Sequence, residues 1–319
     1  MSTNATSTTI STNTMSTMSI GWIGAGRMGF EMAKRLAQSG SAVKIWNRTR
    51  AKAEPLVPYG ATVVSTLAEL AGCDVVFCMV STWDDVRSVI AGPDGLLSGA
   101  RVPRILVECS SISVEGSAEL RTLLGRRGCA MLAAPVSGNA KVVKAGKLSF
   151  VCSGPEAVYR EVEPLLQTIG AGASYVGEGE LSRIVKICHN VLLGVVTQSL
   201  AEVTILAQKA GVPRHAFLAF INQSVMGSTF SRYKSPAFVN LDFKVTFTPE
   251  LLRKDLDLGL DAGRANDVPL PLAALTRDLV QSMMGRGMTE QDFATLLLQQ
   301  ASASGMVLEP ENVPVDDGL

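Results

Sequence analysis

The run Ile20-Gly21-Trp22-Ile23-Gly24-Ala25-Gly26-Arg27-Met28-Gly29 constrains the fold more than any other part of this 319-residue chain. A short apolar strand enters a G-x-G-x-x-G turn and leaves it as a helical pattern from Phe30 to Gln38. In a dinucleotide fold each glycine has its own task. Gly24 permits the tight turn, Gly26 admits a pyrophosphate to the backbone, and Gly29 lets helix and strand pack closely. The pyrophosphate then sits on the first helical N–H groups, here those around Arg27 and Met28, at the positive end of the helix dipole. A lone G-x-G-x-x-G is a weak signal. The strand before it, the helix after it and a second strand at 42–46 supply the context it requires.

The residues after that second strand bear on the choice of cofactor. NAD-binding chains usually place Asp or Glu there to hold the ribose 2′-hydroxyl. This chain has Asn47-Arg48-Thr49-Arg50 and no carboxylate before Glu54. A guanidinium at Arg48 suits an anionic 2′-phosphate and can stack on adenine, while Asn47 and Thr49 add neutral hydrogen bonds. The expected cofactor is NADP(H), with NAD possible; a solvated basic loop is the alternative.

Composition excludes several other classes. Lys plus Arg equals Asp plus Glu at 29 each, so no net basic charge argues for nucleic acid. Apolar runs are interrupted before the roughly 18 residues a bilayer span needs, although 47% of the chain is hydrophobic. The first 18 residues, rich in Ser, Thr, Asn and Met, lack a basic stretch and an apolar core, so they read as a disordered leader rather than a signal peptide. Six scattered cysteines without a C-x-x-C pair, and only two histidines, argue against zinc, a disulfide framework or a serine triad. Metal-free redox chemistry in the cytoplasm fits best.

From Ile20 to about 176, apolar strand-like runs at 20–23, 42–46, 61–64, 75–80, 104–109, 129–133, 148–152 and 174–176 alternate with helical ones. That pattern predicts a parallel sheet covered on both faces. Strand signals nearly vanish from Glu180, where helical patterns cover 180–210, 213–224, 249–265, 270–286 and 289–303. The predicted architecture is α/β, a doubly wound Rossmann sheet over 19–179 followed by an all-α domain over 180–307, with a long interdomain helix and a flexible tail at 308–319.

The helix beginning near Glu180 is apolar on most sides, yet Arg183, Lys186, Asn190, Gly194 and Thr197 recur at spacings of three and four. Burial of a lysine amine favours its neutral form and lowers its pKa toward the range useful for general acid–base work. The competing reading is a lysine that snorkels to solvent.

Four motifs in order carry a resemblance that spans Ile20 to about Met306: Gly24-Ala25-Gly26-Arg27-Met28-Gly29, Ala134-Pro135-Val136-Ser137-Gly138, Lys186-Ile187-Cys188-His189-Asn190 and Lys254-Asp255-Leu256. The chain resembles the β-hydroxyacid dehydrogenases, the group of 3-hydroxyisobutyrate, tartronate semialdehyde and L-serine dehydrogenases related to 6-phosphogluconate dehydrogenase. The resemblance implies an oxidoreductase passing a hydride between NADP(H) and a β-hydroxy acid. Lys186 would be the general acid/base, Asn190 would bind substrate, and the Ser137-Gly138 turn, with Asn139 beside it, would bind its carboxylate. Lys254 would lie near both nicotinamide and substrate. Met79, Val80 and Ser81, ending the fourth strand, and Ser110 with Ser111 would hold the cofactor.

Departures from the family pattern bear on substrate range. Ala133 replaces a common aspartate, Asn139 a glycine, and His189 an asparagine. Lys141, Lys144 and Lys147 form either a solvated loop or a lid for a second anionic group. Two rival functions share the fold. Imine reductases commonly lack the lysine, and non-catalytic binding modules lose it; Lys186 argues against both. The aliphatic positions of 192–206 exceed what one small helical domain need bury, so a homodimer or homotetramer through the helical half is expected. No nucleic acid or membrane partner is expected.

Overall fold

A computed structural model describes residues 18–319. All but the last residue of the expected 1–18 leader lies outside the described residues. The chain divides into two compact units, one through Arg183 and one from Ile184 to Leu319. The expected division fell after residue 179. The first helical residues beyond it belong with the first unit because their side chains bond into it: Ser182 Oγ donates to Ala133 O at 3.2 Å, and its N–H donates to Ser153 Oγ.

The first unit opens with β1 (Ile20–Ile23), α1 (Arg27–Gln38), β2 (Val43–Trp46), β3 (Thr62–Val63), β4 (Val75–Cys78) and α2 (Trp83–Ala91). It continues with β5 (Ile105–Glu108), α3 (Val114–Gly125) and β6 (Ala130–Ala133). These six strands form one parallel sheet in the order β3-β2-β1-β4-β5-β6. The order reverses at β1, whose Ile20 lies beside Val43 on one side and Val75 on the other. Ligands of open α/β sheets bind at such a switch point, beyond the carboxyl ends of the strands. β1, β4 and β5 are buried throughout, as a sheet covered on both faces requires.

The remaining strands do not extend that sheet, contrary to the single parallel sheet predicted. β7 (Val136–Ser137), α4 (Ala140–Lys144), β8 (Ser149–Cys152), α5 (Glu156–Ile169) and β9 (Gly172–Tyr175) follow, and the three strands make a separate sheet. β7 pairs antiparallel with β8, and β8 pairs parallel with β9. Pro135, which has no N–H to give a ladder, lies two residues beyond β6, and its carbonyl accepts from Val151 N at 3.1 Å. Val136–Ser137 was not foreseen because two residues carry no period.

The second unit is helical: α6 (Leu181–Lys209, its first turn in the first unit), α7 (Arg214–Gln223), α8 (Thr229–Asn240), α9 (Pro249–Ala265), α10 (Pro271–Gly285) and α11 (Leu296–Ala303). α6 is long and apolar enough by composition to cross a bilayer, which the interrupted runs did not suggest. One face of it packs tightly inside the second unit. Gly259 of α9 stands so close that a Cβ there would lie 2.1 Å from Val191 Cγ2, and Gly194 faces Leu252 and Leu256. α8 escaped the sequence reading because Pro236 interrupts it and its apolar residues lack a 3.6 period; a Ser228–Ser231 capping box starts it.

The helix expected over 289–303 begins later. Asp292 is fully buried and its carboxylate accepts from Lys234 Nζ (2.6 Å), Thr246 N (2.8 Å) and Ala294 N (3.0 Å), which takes the preceding backbone out of the helix. The 308–319 tail, expected to be flexible, is anchored. Buried Arg214 donates to Glu309 O, Glu311 accepts from Arg214 N and His215 N, and Asn240 Nδ2 donates to Val313 O.

Candidate active site

In the first unit, the residues predicted to hold the cofactor gather where β1, β2, β4 and β5 end. Gly24 has φ +102°, and a Cβ there would meet Met79 O at 2.2 Å, so the turn after β1 admits glycine alone. A Cβ on Gly29 would lie 2.2 Å from Gly24 O, a carbonyl already pinned by the Trp22 indole N–H at 2.8 Å. Gly26 differs, since a Cβ there would meet nothing within 4 Å. No packing among the described residues demands that glycine. It caps α1 without a side-chain bond, and the first turn carries no acid. The positive end of the α1 dipole and an open approach over Gly26 fit a dinucleotide pyrophosphate.

The loop after β2 is more committed than its sequence suggested. Asn47 Oδ1 accepts from Ala25 N and Asn47 Nδ2 donates to Thr49 O, both at 2.8 Å. The amide expected to reach the cofactor instead ties the glycine-rich turn to this loop. Arg48 is 84% exposed and Thr49 is exposed, as a 2′-phosphate site requires. Arg48 also has a partner that the sequence did not announce: Asp85 Oδ1 lies 3.2 Å from its Nη1, on the first turn of α2.

Met79 and Val80 are partly buried beyond β4, and Ser81 is exposed. Val80 N donates to Ser110 Oγ at 3.0 Å. Ser110 is fully buried, so its hydroxyl links two loops rather than meeting a ligand; half-buried Ser111 is the more accessible of the pair. Beneath them lies a buried ion pair missed in the sequence. Arg183 bonds the Glu108 carboxylate, Ser110 O at 2.7 Å and Ser117 Oγ at 3.1 Å, and the other Glu108 oxygen accepts from Ser110 N at 2.8 Å. A carboxylate closing the apolar strand Ile105–Glu108 was the available signal. Each charge is satisfied several times, as full burial demands.

The turn at Ser137-Gly138 leads into α4. Gly138 has φ +136°, and a Cβ on it would lie 2.8 Å from Val142 Cγ1. Asn139 Oδ1 caps α4 by accepting from Lys141 N and Val142 N, so its oxygen is committed to the helix and not to a substrate. Lys144 pairs with Glu31 at 3.3 Å, which offsets its charge for the lid role considered above.

In the second unit, the close crossing of α6 and α9 brings Lys186, His189, Asn190, Lys254 and Asp255 together. Asn190 Nδ2 donates to Asp255 Oδ2 at 2.6 Å, leaving its Oδ1 to accept from Lys186 Nζ at 2.8 Å. The same oxygen lies 2.9 Å from His189 Nδ1, which calls for the Nδ1–H tautomer. Lys254 Nζ is 3.6 Å from Asp255 Oδ1. Burial pulls the Lys186 ammonium down to about 8, against the Asp255 carboxylate, which raises it; the Lys254 charge lowers it further. Burial likewise raises the Asp255 carboxyl and lowers the His189 imidazole. The other members of the predicted polar stripe do different work: Arg183 holds Glu108, Gly194 permits the crossing, and Thr197 Oγ1 donates to Leu193 O of its own helix.

A sheet reversing at a glycine-rich turn, with a helical unit carrying a half-buried lysine of lowered pKa, defines a nicotinamide-dependent oxidoreductase of two units. Residues 19–177 match the family described as the NAD binding domain of 6-phosphogluconate dehydrogenase, and 180–299 match the NAD-binding domain of NADP-dependent 3-hydroxyisobutyrate dehydrogenase. The chain is 31% identical to 2-(hydroxymethyl)glutarate dehydrogenase of Eubacterium barkeri, over 87% of this chain and 93% of that one. It is 30% identical to chloroplastic glyoxylate/succinic semialdehyde reductase 2 of Arabidopsis thaliana, over 91% and 82% respectively. The structure of Mycobacterium tuberculosis 3-hydroxyisobutyrate dehydrogenase with L-serine is similar, with TM-score 0.76, 27% identity and coverage of 88% of this chain and 98% of that one. The chain belongs to the β-hydroxyacid dehydrogenase family, the NAD(P)-dependent oxidoreductases of hydroxy acids.

Proposed function

We propose that this chain catalyses the reversible, NADP(H)-preferring oxidation of a small β-hydroxy acid to its semialdehyde or ketone, with Lys186 as general acid/base. The observation that carries the proposal is the amine of Lys186, drawn down to about 8 by burial and aimed by the Asn190 amide. A general acid/base is most effective when its pKa lies near the working pH. The bound nicotinamide supplies or accepts the hydride. In oxidation, neutral Lys186 takes the substrate hydroxyl proton on Nζ; in reduction, its ammonium returns a proton to the carbonyl oxygen. Asn190 and Lys254, beside Lys186 in the second unit, orient the substrate, and the family resemblance gives carboxylate binding to Ser137 and the Gly138 backbone. Relatives named for 3-hydroxyisobutyrate, succinic semialdehyde and 2-(hydroxymethyl)glutarate support an acid of the 3-hydroxyisobutyrate, serine or tartronate semialdehyde type. The working assembly is a homodimer or homotetramer through the helical unit, a reading supported by its exposed apolar stripe.

The test uses the pH dependence of both directions with a panel of 3-hydroxy acids. Oxidation should rise, and reduction fall, through an apparent pKa near 8. Lys186→Ala should lower kcat by roughly 10²–10⁴ and flatten that profile while cofactor still binds. Near-normal turnover in the variant, or an unchanged profile, would remove the mechanism.

A further inference from the structure

Arg48 is not held by solvent alone. Thr82 caps α2 by accepting from Asp85 N at 3.1 Å, and its hydroxyl donates back to Asp85 Oδ2 at 2.9 Å. These two bonds fix the carboxylate and engage one of its oxygens. The other oxygen, Oδ1, is the one 3.2 Å from the Arg48 guanidinium. A fixed anion therefore stands against the residue assigned to the 2′-phosphate, at the edge of the cradle formed by Gly24, Gly26 and the loop after β2. Asp85 is only about a quarter exposed, whereas Arg48 is almost fully exposed. The arginine is the member that can turn toward a ligand.

We infer that Asp85 is a specificity-determining residue for the cofactor, which competes for Arg48 and thereby tempers the preference for NADPH over NADH. The inference rests on the assignment of Arg48 to the 2′-phosphate. A 2′-phosphate brings up to two negative charges, so binding must draw Arg48 from Asp85 or leave phosphate and carboxylate sharing one cation. NADH carries a neutral hydroxyl at that place and incurs neither cost. Discrimination between two ligands is a difference of affinities, and a repulsive group directed at one of them sets that difference as much as an attractive one. An exposed Arg–carboxylate pair is a weak interaction, so the effect is modest: a bias that keeps both cofactors usable.

The test is calorimetric titration of the full chain with NADPH, NADH and adenosine 2′,5′-bisphosphate, which reads binding without turnover. Asp85→Asn should tighten NADPH and the bisphosphate roughly three- to fivefold and change NADH less than twofold. In an Arg48→Ala background the same substitution should shift NADPH by less than twofold, because the contested cation is gone. Equal tightening of NADPH and NADH, no tightening of either, or the same gain in both backgrounds would overturn the inference. Arg48→Ala alone separates the two ideas. If it leaves NADPH affinity unchanged, the 2′-phosphate assignment fails. If it weakens NADPH at least tenfold while Asp85→Asn does nothing, only the role of Asp85 fails. Thr82→Val, which frees the carboxylate without removing its charge, should leave the NADPH/NADH affinity ratio between those of the wild-type protein and Asp85→Asn.

Discussion

Lys186 illustrates how one residue acquires a function from its neighbours. In water its amine would be charged at every physiological pH, but burial lowers its pKa to about 8 and the Asp255 carboxylate limits that fall. Asp255 also receives the Asn190 amide at 2.6 Å, which fixes Asn190 Oδ1 toward Lys186. Asp255→Asn should therefore do two things. Loss of the carboxylate removes the attraction that raises the Lys186 pKa, so the midpoint of the oxidation profile should move to lower pH. Loss of the charged acceptor loosens Asn190, so KM should rise as well. A midpoint that stays in place or moves upward in that variant would show that Asp255 does not act on Lys186 electrostatically. The lysine itself was legible in the sequence through its stripe and motif. Its partner was legible only as a neighbour of Lys254, because nothing in the sequence says that Asp255 meets Asn190 across a separation of 65 positions.

At the scale of elements, the site in the second unit depends on how closely α6 and α9 approach. Gly259 leaves room for Val191, and Gly194 leaves room for Leu252 and Leu256. A Cβ on Gly259 would lie 2.1 Å from Val191 Cγ2, and valine has little freedom to turn aside in a helix. Gly259→Ala should cost about 1–3 kcal/mol through overpacking, although alanine is the better helix former. Thermal denaturation of Gly259→Ala, Val191→Ala and the double variant measures this directly. The double variant should be more stable than the sum of the single losses, and simple additivity would show that the contact is not strained. The elements themselves were foreseen where a period ran long enough, as in α6 and α9. The two-residue β7 and the proline-containing α8 were not, since each is held by tertiary partners rather than by its own pattern.

For the whole molecule, the second unit leaves Leu192, Val196, Val203 and Leu206 exposed on one face of α6, with Leu192 61% and Leu206 70% accessible. Separations of four, seven and three residues place all four along a single stripe. A contiguous exposed apolar stripe is normally covered by a partner, and a second copy is the simplest one under closed symmetry. Sedimentation velocity at micromolar concentration should give a dimer or tetramer for the wild-type chain. The Leu192→Lys, Leu206→Lys variant should shift it to a 33.7 kDa monomer. A wild-type monomer would sink the assembly, and an unchanged oligomer in the variant would move the interface elsewhere.

The sequence by itself determined the glycine-rich turn, the parallel strands around it, the helical character from Glu180 and the lysine on the polar stripe of an apolar helix. Each of these is local: a period, a run of apolar residues or a glycine whose backbone no other residue could adopt. Tertiary structure alone decided that the strands split into two sheets, that Glu108 and Arg183 are buried as a pair, and that the Asn47 amide and the Asn139 side-chain oxygen are engaged inside the chain. It also set Asp85 against Arg48 and Asp255 against Asn190. These are pairings between distant segments, and their energies come from burial and charge, which exist only once the chain has closed around them.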